Sequence, residues 1–163
     1  MIKKNQIYLL QTDQLLAIPL SEAWEFFTSP GNLSKITPPD MDFKIISELD
    51  GSPVYTGMEI TYTVKPMLGI PVKWKTLISE VVEGQQFTDR QLEGPYKLWE
   101  HTHTFTATDH GLLMTDTVRY ELPFGIIGKF AHWLFVRRKL KNIFTYRRVV
   151  VEKLFNQNGI LAN

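Results

Sequence analysis

His101 and His103, in the stretch LWEHTHTF (98–105), are the residues of this sequence whose types and spacing could do chemistry. An i, i+2 pair on a β-strand puts both imidazoles on one face, and imidazole changes charge near neutral pH. With a carboxylate to fix its tautomer, such a ring can act as general acid or base. A guanidinium can then stabilise a developing oxyanion or enolate. Strand alternation brings Asp89, Gln91 and Asp116 to the side of the histidines, and a helical stripe adds Arg137 and Arg147. The same histidines with Asp89 or Asp116 could also ligate a metal ion. Nearby arginines argue against that, because they repel a cation and compete for the carboxylates, so no metal is expected. No cofactor is implied either. The chain lacks a Gly-rich phosphate loop, a nucleophile elbow and a Cys/His zinc pattern, and with no cysteine it has neither thiolate chemistry nor disulfides.

The elements that must position these residues can be read from periodicity and turn signals. QIYLLQTDQLLAI (6–18) reads as a first strand closed by Pro19. Ser21 is expected to cap a short helix over 22–28, and Ser29-Pro30 to start a second that ends before Pro38-Pro39. Strand-like runs follow at 43–49, 58–66, 71–82, 86–93, 98–108 and 112–123, separated by turns such as Asp50-Gly51, Glu83-Gly84, Gly94-Pro95 and His110-Gly111. Short connections between β runs favour antiparallel hairpins. From 126 to 155, Phe130, Trp133, Arg137, Leu140, Phe144, Arg147, Val151 and Leu154 recur at helical spacing, which predicts a helix about 45 Å long. The expected fold is α+β: a seven-stranded antiparallel sheet curved around a long C-terminal helix, with two short helices after the first strand. The helix is the only element large enough to cover the sheet's apolar face. The whole of 1–163 reads as one domain.

Alternation sorts each strand into two faces. The aromatic-rich sets are Val72, Trp74, Thr76 and Ile78; Phe87, Asp89 and Gln91; Trp99, His101, His103 and Phe105; and Leu112, Met114, Asp116, Val118 and Tyr120. These sets are expected to face the helix, each carrying polar residues inward. Buried polar groups cost several kcal/mol unless partnered. Three readings stay open: a satisfied internal network, a ligand pocket with apolar walls and a few directional polar groups, or a catalytic site. In the pocket reading Tyr62, Trp74, Phe87, Trp99 and Phe144 form walls, and His101, His103, Asp116 and Arg147 orient a small hydrophobic or aromatic ligand bearing an acidic or carbonyl group.

Composition excludes several classes. The N-terminal apolar stretch is interrupted by Gln11, Thr12, Asp13 and Gln14, which does not read as a signal peptide, and no stretch is long and apolar enough for a spanning helix. A cytoplasmic protein is expected. The net charge is only +1, yet the span 126–155 is basic, with Glu152 its only acidic residue. Its cations suit a solvated helix face; contact with a membrane surface is a lesser alternative. Nucleic-acid binding is not expected, since that helix needs its apolar stripe for the core.

The strings PLSEAWEFFTSPGNLSKITPP, GIPVKWKT, FTDRQLEGPYKLWEHTHTF, TDTVRYELPFGIIG and FVRRKLKNIFTYRR resemble the START-like helix-grip superfamily, also called SRPBCC. The resemblance runs nearly end to end and is closest to a bacterial branch near the polyketide cyclase/dehydrase group. It implies a hydrophobic cavity between sheet and helix. Members bind lipids, sterols, polyketides or hormones, and some are cyclases or dehydratases. A cyclase or dehydratase using His101 or His103 as general acid/base on a polyketide-like carbonyl compound is therefore the enzymatic alternative. The resemblance assigns no catalytic role to any of these residues.

Overall fold

A computed structural model describes residues 6–156 except 124, 126, 128, 129 and 131. Its strands are β1 (Tyr8–Leu16), β2 (Lys44–Ile45), β3 (Glu59–Met67), β4 (Ile70–Val82), β5 (Gln86–Glu93), β6 (Leu98–Thr108) and β7 (Gly111–Glu121). They form one antiparallel sheet in the order β1-β7-β6-β5-β4-β3-β2. The turns follow the Gly-containing signals of the sequence, so β3 to β7 pair as successive hairpins. Chain order then leaves β1 to close on β7 at the far edge. Register breaks at Val64/Met67, Lys75/Thr76 and Ile78/Glu80 put bulges on both sides of β4. Bulges bend a strand and increase its twist, which helps the sheet curve around the C-terminal helix.

Helix α1 (Leu20–Phe27) and two 3-10 turns (Pro30–Ile36 and Pro39–Met41) lie between β1 and β2. Pro19, not Ser21, is the N-cap of α1, and Ser21 lies inside the helix. The second expected helix is 3-10, with Ser29 before its first proline but no side-chain capping bond. The Ser29 hydroxyl instead donates to the Glu25 carbonyl at 2.6 Å, which binds the two turns together. The expected strand 43–49 shrinks to the two residues of β2.

The terminal helix α2 runs over Arg137–Phe155, preceded by a wide π-helical turn at His132–Val136. At 1.5 Å per residue α2 is about 28 Å long, and the described residues 125, 127 and 130 before the π turn are helical as well, so the expected helical stretch is interrupted by that turn. Leu140, Phe144, Arg147 and Val151 are its buried residues. Its C-terminal end is pinned to β1. Asn156 accepts from the Ala17 amide at 2.8 Å and donates to the Leu15 carbonyl at 3.0 Å, and Gln14 donates to the Arg148 carbonyl at 3.0 Å. These side-chain to backbone bonds fix the depth at which Arg147 meets the sheet. Val136 is buried, whereas Phe130 and Arg137 are exposed. The side chain of Trp133 lies outside the described residues.

Candidate functional site

Register brings the polar residues together in cross-strand pairs. Asp89 on β5 sits opposite His101 on β6, and His103 sits opposite Asp116 on β7. All four point to the side facing α2, and directly opposed residues are within reach of each other. His101, His103 and Asp116 are buried, and Asp89 largely so. Arg147 descends from α2 and is buried too.

Asp116 is the hub. Its Oδ1 lies 2.8 Å from His101 Nε2, 2.9 Å from His103 Nδ1 and 3.3 Å from an Arg147 terminal nitrogen. The His101 contact is an aligned hydrogen bond, whereas His103 Nδ1 is close but not aligned for one. On their other nitrogens, His101 Nδ1 and His103 Nε2 lie 3.6 and 3.7 Å from Asp89 Oδ2, beyond hydrogen-bond length. Thr76 supports Asp89, its hydroxyl donating to Oδ1 at 3.3 Å. The imidazoles lie with centroids 3.9 Å apart, Phe87 stacks on His103 at 4.3 Å, and Phe144 meets His101 edge-on at 5.6 Å.

These contacts set the charges. Burial opposes ionisation of Asp116, but the Arg147 guanidinium and both histidines outweigh it and hold the carboxyl well below its usual range. Burial likewise opposes ionisation of Asp89, but the nearby His103 and His101, and Arg147 beyond them, still keep its pKa low. His101 is pushed down, first by burial and then by repulsion from His103. Burial also disfavours a charge on His103, but Asp116 and Asp89 overcome it and raise its pKa. The pair should therefore take its first proton above pH 6.5, on His103, and its second only below 6.5, on His101. For stability the signs oppose. The His103 contribution is complete below 6.5 and fades as pH rises through its folded value. Protonation of His101 erodes stability as pH falls below 6.5. Ring-proton NMR titration checks this; two superimposable curves centred at 6.5 would contradict it.

The rings form one wall of a cavity of about 180 Å³ between sheet and helix. Tyr62, Trp74, Phe87, Asp89, Trp99, His101, His103, Phe144 and Arg147 line it. Three residues expected there are placed otherwise. Asp116 sits behind the imidazoles and does not line the cavity. Gln91 does not line it either: its amide donates to the Tyr96 carbonyl at 2.6 Å and accepts from the Tyr96 amide at 3.2 Å, which holds the β5–β6 turn. Arg137 is exposed and off the cavity. At its level the sheet offers Tyr120 rather than a carboxylate, so a cation there keeps its head in water while its field still acts on that phenol.

Other lining residues were not singled out by sequence. Tyr96 contacts Trp74, Trp99 and Tyr120 at ring distances of 5.6, 4.8 and 5.9 Å. It follows Gly94-Pro95 in a turn, where period-two reasoning does not apply. Phe26, Leu33 and Ile36 come from the short helices, and Ile143 from α2 beside Leu140 of the expected stripe. The Trp74 indole nitrogen is buried with no hydrogen-bond partner among the described residues.

No protein-family model matches the chain, and no curated protein does. Solved structures do. The di-domain ARO/CYC StfQ from the steffimycin biosynthetic pathway superposes with a TM-score of 0.72 at 11% identity, covering 95% of this chain and 52% of StfQ. Protein TTHA0849 from Thermus thermophilus gives 0.65 at 15%, covering 90% and 95%. Norcoclaurine synthase from Thalictrum flavum gives 0.64 at 16%, covering 92% and 97%. The fold is the helix grip. In helix-grip terms, the histidine pair stands on a central strand of the gripping sheet and Arg147 on the gripped helix. No helix of the described chain is long and apolar enough to cross a membrane.

Proposed function

We propose that the protein binds a small aromatic compound bearing a carboxylate or carbonyl group, with its ring among Tyr62, Trp74, Trp99 and Phe144 and its polar end at His101, His103 and Arg147. One observation carries the reading: an aromatic-walled cavity with the cluster Asp89, His101, His103 and Arg147 gathered on one side of it. Volume sets the scale. A dry cavity of roughly 150 Å³ accommodates benzene, while drug-sized ligands occupy about 300–1,000 Å³. At about 180 Å³, the space suits a single substituted ring better than an extended polyketide chain. A proton on His103, which the two neighbouring carboxylates favour, supplies one donor for a carbonyl or acidic group, and the unpartnered Trp74 N–H supplies another.

A second reading rests on the 2.8 Å bond between His101 and Asp116. That bond fixes the ring's tautomer and leaves Nδ1 for acid–base chemistry on a carbonyl compound of the same size. It makes the protein a cyclase- or dehydratase-type enzyme rather than a carrier. The StfQ and norcoclaurine synthase superpositions are compatible with either reading, since both share the fold.

The test is a thermal-shift and calorimetry series of benzoate-sized acids, aldehydes and their neutral isosteres. Acids and aldehydes should bind one per chain. The His101→Ala/His103→Ala double variant should weaken them about tenfold or more, roughly 1.4 kcal/mol, while leaving neutral analogues unchanged. If no ring compound stabilises the protein, the binding reading falls. If turnover of a carbonyl substrate is found and survives the double substitution, the acid–base reading falls.

A further inference from the structure

We propose that Asp89, His101 and His103 form a binding site for one divalent transition-metal ion of zinc type at the polar end of the cavity. One nitrogen from each ring and one carboxylate oxygen lie within 4.8 Å of one another. Asp116 Oδ1 accepts from His101 Nε2 at 2.8 Å, which leaves Nδ1 as the free nitrogen of a neutral His101 ring, and it lies 2.9 Å from His103 Nδ1. On the other side, His101 Nδ1 and His103 Nε2 lie 3.6 and 3.7 Å from Asp89 Oδ2, too far apart for good hydrogen bonds and close enough for one ion to bridge them.

The spacing fits. Zinc bound at about 2.0–2.1 Å by tetrahedral ligands has donor atoms about 3.3 Å apart, so each ring nitrogen must close on Asp89 by about 0.3–0.4 Å, with the two ring nitrogens themselves within 4.8 Å of each other. The donor set of two imidazoles and one carboxylate suits zinc, cobalt or iron(II). Asp116 does for both rings what an outer carboxylate does in metalloproteins: it holds their far nitrogens and so fixes the orientation of the near ones. The charge count also fits, with Asp89 and Asp116 against Arg147 when both rings are neutral. The expected objection from arginines weakens in the structure. Arg147 pairs with Asp116 and forms no ion pair with Asp89 among the described residues, which keeps it from competing for that ligand although its charge still reaches Asp89 and His103, and Arg137 is exposed. A three-ligand site leaves a fourth position, which opens on the cavity that all three residues line.

The site can be tested without any organic ligand, so its failure is separable from failure of the binding proposal. Protein dialysed against a chelator and titrated with Co2+ alone should take up one ion per chain. The ion should show visible ligand-field absorption, and Zn2+ should displace it. Asp89→Ala and His103→Ala should each abolish that absorption. Asp116→Asn should weaken binding about 10–100-fold while leaving the band shape that of the same three ligands. Circular dichroism checks folding of each variant. Should His103→Ala fail to fold, Asp89→Ala decides alone, since Asp89 is the least buried of the three and its carboxylate accepts one long hydrogen bond, from Thr76 at 3.3 Å. Absence of stoichiometric Co2+ uptake by the parent overturns the proposal. So does uptake that persists in Asp89→Ala, as it would for ions held by surface carboxylates.

Discussion

Replacing Arg147 with methionine should lower folding stability by about 3–5 kcal/mol, the usual cost of removing one partner from a buried ion pair. Methionine fills much of the same volume, so the loss reports the charge rather than a void. Asp116 is only 3% exposed, and Arg147 is the largest favourable influence on its ionised form. The pH dependence has a definite sign. A carboxyl whose folded pKa is depressed contributes stability that is present above its unfolded value near 3.8 and is lost as pH falls through the folded value. Without Arg147 the depression shrinks, so parent and variant should differ most above about pH 4 and converge in acid. Adding Asp116→Asn should recover much of the loss, because no uncompensated charge then remains. Urea unfolding of the two single variants and the double variant measures the coupling. A single-variant loss under 1 kcal/mol would mean that water already solvates this carboxylate.

Truncating Phe87 to alanine should cost about 3–5 kcal/mol and lower Tm by about 6–20 °C. The ring is 4% exposed, stacks on His103 at 4.3 Å, and meets Trp24 and Phe105 at 6.0 and 6.3 Å. It also lines the cavity, so the vacated volume joins space that exists already. The variant should therefore gain affinity for bicyclic aromatic acids that the parent excludes, and part of the lost stability should return when they bind. Calorimetry with benzoate-sized and naphthoate-sized acids compares the two. A variant that loses stability yet keeps the parent's size preference would show that the wall collapses instead of opening.

The two predictions draw on different parts of the chain's information. Phe87 and His103 could be assigned to the inward face from alternation alone, because side-chain direction in a strand has a period of two residues and needs no partner. The burial of β6 follows that alternation, with His101, His103 and Phe105 buried and their neighbours less so. The turns were legible for a similar reason: glycine, proline and aspartate act on the backbone within a few residues. Where local rules compete, the sequence misled. Ser21 is a good capping residue, yet Pro19 takes the cap; the run 43–49 has strand character, yet only two residues pair.

The order of strands and helices, the inward faces and the polar character of one wall were therefore set by the sequence itself, through short-range periodicity and turn chemistry. Which carboxylate meets which imidazole was decided by tertiary structure, because it depends on strand register and on how deep α2 sits. That depth is fixed by contacts as distant as Gln14 with Arg148 and Asn156 with Leu15. Arg137 and Arg147 lie on one helical stripe and look alike in sequence. Only Arg147 finds a buried carboxylate opposite, so one guanidinium enters the core and the other stays in water.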